Sequence, residues 1–154
     1  MIKKVFLTVI LAQTLVGCSG DESGSGKSAE PVGAKSPQEV LTQFTRHLYG
    51  GQSVQACALI TDGGRQAIAT STGQGYCPAG IAKIIETKTQ VKLAKYKNWA
   101  FDEPDNLKVI GDTAVYDGNC SGGPLHNVKF NLTKTEPGWM ISGWEEQLGY
   151  VCGG

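Results

Sequence analysis

Apolar residues first recur at helical spacing from Val40, where Val40, Leu41, Phe44 and Leu48 fall on one side of a 3.6-residue helix. Ser36-Pro37-Gln38-Glu39 stands just before them and combines an N-cap serine, a proline at the first helical position and a glutamate at the third, which together form a capping box. A helix is therefore expected from this box to Gly50-Gly51. Ser53 can cap a second, shorter helix carrying Ala56, Cys57, Leu59 and Ile60, which Asp62-Gly63-Gly64 should break, leaving one or two further turns over Arg65 to Ala69. Cys77-Pro78 opens a third helix, whose Ile81, Ile84 and Ile85 share a face. Between Glu86 and Phe101 two patterns compete. Thr89 to Leu93 alternates like a strand, whereas Lys88, Lys92 and Lys95 fit one helical face, and the reading stays open.

From Asn106 the period changes to alternation. Leu107 to Ile110, a Gly111-Asp112 turn and Thr113 to Asp117 read as a hairpin, because a two-residue connection needs positive φ and glycine supplies it. Val128, Phe130 and Leu132 then alternate with Asn127, Lys129, Asn131 and Thr133, giving a strand with one buried face. Glu136-Pro137-Gly138 turns the chain, and Trp139 to Trp144 returns as its partner. Trp139 shares parity with Ile141 and Trp144 does not, so a regular strand would send only Trp139 into the core. Helices followed by a meander predict an α+β domain, with N-terminal helices packed on one face of a curved antiparallel sheet.

The first eighteen residues have a different character. Lys3 and Lys4 precede a mostly apolar stretch from Val5 to Val16, the layout of a secretory signal peptide. It ends in Leu15-Val16-Gly17-Cys18, which resembles the lipobox of bacterial lipoproteins. That resemblance implies a diacylglyceryl thioether on Cys18, cleavage before it, and export to the outer face of the cell membrane, or to the outer membrane where the host has one. Two or more acyl chains anchor stably where one binds only marginally, so the lipid bilayer is the first expected partner. Ser19 to Lys35 is rich in Gly, Ser and charge, with Val32 its only large apolar residue, and reads as a flexible tether. The expected division is thus signal peptide over 1–17, lipidated Cys18 and tether over 18–35, and folded domain over 36–154. Gly24-Ser25-Gly26-Lys27-Ser28 matches a P-loop only in part, since Asp21 stands where the first glycine belongs and no strand precedes it.

The capped first helix, the Cys-containing second helix, the Cys-Pro helix, the Val109-Ile110-Gly111-Asp112-Thr113-Ala114-Val115 hairpin and the closing Gly138-Trp139-Met140-Ile141 strand together resemble nuclear transport factor 2-like domains of bacterial, especially actinobacterial, lipoproteins. The resemblance covers about Ser36 to Glu146. It implies a cystatin-like cone, in which a curved sheet wraps a long helix and leaves a pocket for an apolar small molecule, or else a surface for an envelope protein.

Composition narrows the function further. With 14 basic against 14 acidic residues in 154 there is no basic excess, so nucleic acid is not an expected partner. Loss of Lys3 and Lys4 with the leader leaves 12 basic against 14 acidic residues. Setting Cys18 aside leaves Cys57, Cys77, Cys120 and Cys152, an even number suited to an oxidising compartment. Four cysteines allow three pairings. Their positions favour Cys57 with Cys77, tying the second helix to the start of the third, and Cys120 with Cys152, tying a loop to the tail. No Cys-x-x-Cys is present and neither histidine lies at ligand spacing from a cysteine, so no metal or other cofactor is expected. His47, at the edge of the first helix's apolar stripe, and His126, in parity with Val128 and Phe130, are candidates for a pocket rim, although boundary positions are the plainer account of both. Lys88, Lys92, Lys95 and Lys97, beside Tyr96 and Trp99, form a candidate membrane-surface patch; a solvated face is its plainer account. Asp102, Glu103, Asp105, Asp112, Asp117 and Glu136 fall in expected loops or turns, so no acid/base pair can be assigned. The leading expectation is a non-enzymatic binding domain on an anchored lipoprotein. A pocket enzyme of isomerase, dehydratase or hydrolase type, and a structural or assembly factor of the envelope, are the alternatives.

Overall fold

Ser36 is extended at the head of helix α1 (Pro37–Tyr49), and its hydroxyl accepts from the Glu39 N–H at 3.1 Å. The Glu39 carboxylate reaches back to the N–H of Lys35 at 2.8 Å, one residue earlier than in a standard capping box. The computed structural model describes residues 30–119 and 121–146. After α1 come α2 (Ser53–Ala58), α3 (Asp62–Ser71), α4 (Cys77–Glu86) and α5 (Gln90–Tyr96), then a 3-10 turn over Pro104–Asn106. Four strands complete the order: β1 (Leu107–Ile110), β2 (Thr113–Asp117), β3 (Val128–Thr135) and β4 (Gly138–Glu146). They pair antiparallel as β1-β2-β3-β4, so the domain is of the α+β class.

The β1–β2 hairpin has the two-residue Gly111-Asp112 connection, with Gly111 at φ 59° and Asp112 at negative φ, as in turns that place glycine at the first central position. Its core face carries Ala114 and Tyr116, while Lys108, Ile110 and Val115 face outward. Strand β4 departs from regular alternation. Leu132 pairs with Ile141 and Asn131 with Gly143, so Ser142 is an extra residue in β4. The bulge shifts parity by one, and Trp144 therefore lands opposite Phe130 on the same face as Ile141 and Trp139. This corrects the expectation that the two tryptophans face opposite ways. Trp144 packs edge-on against Phe130 (centroids 5.0 Å apart) and Phe44 (5.6 Å).

Asp62-Gly63-Gly64 is also a correction: it does not break a helix but forms the first turn of α3. Thr61 caps that turn, its hydroxyl accepting from the Gly64 N–H at 3.3 Å. Glycine at 64 answers a tertiary need, because a Cβ there would lie 2.6 Å from Ile60 Cγ2 and 3.0 Å from the Ile141 carbonyl oxygen of β4. Gly63, in contrast, has open space around it. Gly64→Ala is expected to lower the unfolding free energy by about 1–3 kcal/mol through overpacking. Gly63→Ala should leave it unchanged or raise it by up to about 1 kcal/mol through helix propensity. Denaturant unfolding of the two variants checks both signs. Ser53, expected as a cap, is instead the first residue of α2 and makes no capping bond.

The open stretch after Glu86 is helical. Thr89 accepts from the Lys92 N–H at 3.3 Å to start α5, and Leu93 and Tyr96, three residues apart, rest half-buried on the core. The ordered structure also begins before Ser36. Val32 N–H donates to the Ala58 carbonyl at 2.8 Å, and Ala34 exchanges two backbone bonds with Trp139 along the free edge of β4. Val32 and Ala34 therefore belong to the fold rather than to the tether. Ile60 extends the covering of the same edge, with bonds from Thr61 N–H to the Ile141 carbonyl and from Ile141 N–H to the Leu59 carbonyl.

Candidate functional site

The apolar face of α1 and the inner face of the sheet meet at the place where the resemblance implies a pocket. Val40, Leu41, Phe44, Tyr116, Phe130 and Ile141 occupy that space with no accessible surface. Phe44 and Phe130 meet edge to face at 5.5 Å, and Phe101 closes on Tyr116 at 5.8 Å. The interior between α1 and the sheet is thus packed side chain to side chain. Among the described residues, depressions lie on the outer surface. The one against the outer face of the β1–β2 hairpin, about 380 Å³, is lined by Asp105, Asn106, Lys108, Val115, Asp117 and Asn119.

Cys57 in α2 and Cys77 at the start of α4 are joined as a disulfide, both buried. Cys18, Cys120 and Cys152 lie outside the described residues, and with them the second pairing and the lipidation site. Among the described residues no three His, Cys, Asp or Glu side chains gather into a metal-binding group. No helix among them is long and apolar enough to cross a membrane.

One carboxylate–phenol pair has no signature in the sequence. Glu103, in the loop before the 3-10 turn, accepts a short hydrogen bond from the Tyr116 hydroxyl on the core face of β2. Asn106 Nδ2 donates to the same Glu103 oxygen, Oε2, at 3.2 Å. The other carboxylate oxygen, Oε1, lies against Gly123, where an added Cβ would collide with it. Two donors thus converge on one oxygen, and a glycine backbone closes over the other. The arrangement clamps three segments, the Glu103 loop, β2 and the loop around Gly123. No local pattern could have linked Glu103 to a tyrosine thirteen residues on; only the inward parity of Tyr116 was readable.

Tyr49, at the end of α1, donates to the Pro124 carbonyl at 2.8 Å and ties α1 to that same loop. Burial, and secondarily the neighbouring Tyr96, pushes its phenol up to about 12. Tyr116 is raised well above its ordinary value by burial first and by its bond to Glu103 second. Both folded-state values exceed the unfolded value of 10.0, so the stability these phenols contribute is complete below about pH 10. It is lost as pH rises from there, because the unfolded chain releases the protons first. The urea midpoint is therefore expected to fall between about pH 10 and 12, and Tyr49→Phe and Tyr116→Phe should each flatten that fall. An absorbance titration should show Tyr49 and Tyr116 ionising above the ordinary tyrosine value of 10.0.

The two histidines do not come together. His47 is half-buried near the end of α1 and pairs through Nδ1 with Gln52 Oε1 at 2.6 Å. His126 is exposed, with Nδ1 2.8 Å from the Ser121 carbonyl oxygen. Asn127 at φ 60° interrupts the alternation between His126 and Val128, so the parity that makes His126 a pocket-rim candidate does not hold. Of the four lysines, Lys92 and Lys95 project from one face of α5, Lys88 sits in the bend before it, and Lys97 follows its last turn. The Lys95 ammonium lies 4.9 Å from the centroid of the Tyr96 ring. Comparison with protein-family models, with curated proteins and with solved structures returns no match.

Proposed function

We propose that this chain is a lipid-anchored protein of the bacterial envelope, held by an acylated Cys18, whose domain is a nuclear transport factor 2-like cone that recognises a protein partner by its outer surface. The observation that supports surface recognition is the filled interior. Phe44 and Phe130 meet where an apolar ligand would sit, and both are inaccessible. Support for the cone comes from the order of helices and meander, from α1 lying across the sheet through Phe44, Phe130 and Trp144, and from the bulge that bends β4. The Glu103–Tyr116–Asn106 clamp and the Tyr49 bond to Pro124 fix the loops beside the sheet, which suits a rigid binding platform.

Native mass spectrometry of the protein extracted from its host's membrane tests this reading. The expected result is a complex with another polypeptide, or the acylated chain alone. A co-purifying small molecule held non-covalently by the domain would instead favour the pocket reading.

A further inference from the structure

We propose that the exposed face of α5 is a docking surface for anionic phospholipid, which lays the domain on its side against the membrane that carries it. From Thr87 to Phe101 the chain has four lysines and no acid, in a protein whose mature part has more acidic than basic residues. Three lysines elsewhere stand beside carboxylates, Lys83 with Glu86 at 3.1 Å, Lys134 with Asp112 at 3.9 Å and Lys129 with Glu145 at 4.0 Å, while among the described residues Lys35 and Lys108 are isolated single cations. Among the described residues none of Lys88, Lys92, Lys95 and Lys97 has such a partner.

The apolar pattern of the helix points the same way. Leu93 and Tyr96 turn inward to the core, the opposite face holds Val91 and Lys95, the former 78 % exposed, and Lys92 is exposed at the flank beside Tyr96. An uncovered valine set among lysines matches a helix lying at an interface: cations meet headgroup phosphates while a small apolar side chain reaches the acyl boundary. The run of four lysines without an acid, more than Val91 alone, is what sets this face apart from the rest of the surface.

Geometry allows the contact. This inference rests on the proposed anchor, and thirteen residues, fourteen chain steps, lie between Cys18 and Val32, the first described residue with a backbone bond into the fold. Such a segment spans at most about 50 Å. Helix α1 is only about 20 Å long, and α5 packs on its far end through Tyr96 and Tyr49, whose centroids are 5.2 Å apart. The anchor therefore leaves α5 free to reach the bilayer.

The test uses the full acylated protein reconstituted into vesicles of phosphatidylcholine alone, or of equal parts phosphatidylcholine and phosphatidylglycerol. Surface lysines are labelled with an amine-reactive ester and read by peptide mass spectrometry. Labelling of Lys92 and Lys95, relative to Lys134, is expected to fall roughly five-fold in the anionic vesicles only, the factor that corresponds to one lysine's attraction to such a surface. High salt should restore it. In a Lys92→Glu/Lys95→Glu variant, both positions being exposed, the lipid-dependent protection of Lys97 should disappear. Equal labelling in both vesicles, or protection that high salt leaves intact, overturns the docking surface. Flotation with neutral vesicles reports the anchor separately: a protein that does not float refutes the anchor, while the labelling pattern with anionic vesicles still decides the α5 face.

Discussion

Phe44→Ala is expected to lower the unfolding free energy by about 3–5 kcal/mol, the range for removing a fully buried phenylalanine. Phe44 has no accessible surface and meets two rings edge to face, Phe130 at 5.5 Å and Trp144 at 5.6 Å. Its loss removes apolar area from the core and leaves a cavity between α1 and the sheet, which α1 cannot close while Tyr49 and the cap at Ser36 hold its two ends. Against a total of about 5–15 kcal/mol for a domain of this size, such a variant stands near unfolding. Thermal or urea denaturation measures the effect. A loss under about 1 kcal/mol would mean that the rings are not packed as described.

The second large effect is expected at the disulfide. Cys57 and Cys77 are separated by 20 residues, and the loop they close contains the whole of α3. The chain-entropy account gives about 3 kcal/mol for a loop of that length. The double variant Cys57→Ala/Cys77→Ala should lose about that much, since alanine puts no unpaired polar atom at two buried positions. It should also become insensitive to reductant at this site. An unchanged urea midpoint would contradict a stabilising bond there.

Much of this architecture is written locally, and most of the exceptions are decided by contacts between distant segments. The α1 cap, the Gly111-Asp112 turn and the alternation of β3 are decided by neighbours in sequence, so they read correctly from it. Gly63-Gly64 reads as a break because glycine disfavours a helix, yet Gly64 is needed where α3 meets the β4 backbone. Trp144 reads as outward because alternation assumes one residue per pairing, and the extra Ser142 is visible only in the pairing itself. Glu103 reads as a loop acid, and its partner Tyr116 belongs to a strand that has to form first. His126 reads as inward by strand parity with Val128, but the backbone leaves the strand at Asn127. At Gly64, Trp144 and Glu103 the deciding contact joins segments distant in the chain, whereas at His126 it is the left-handed backbone of the next residue.

The proposed anchor is tested most directly by the intact mass of the protein extracted from the membranes of its own host, wild type beside Cys18→Ala. The account predicts a wild-type chain that starts at Cys18 and carries a diacylglyceryl group, and a variant that carries no lipid and is not cut at that site. Wild-type protein that retains its leader with Cys18 unmodified, or a Cys18→Ala protein that stays membrane-bound at the mature size, would contradict it.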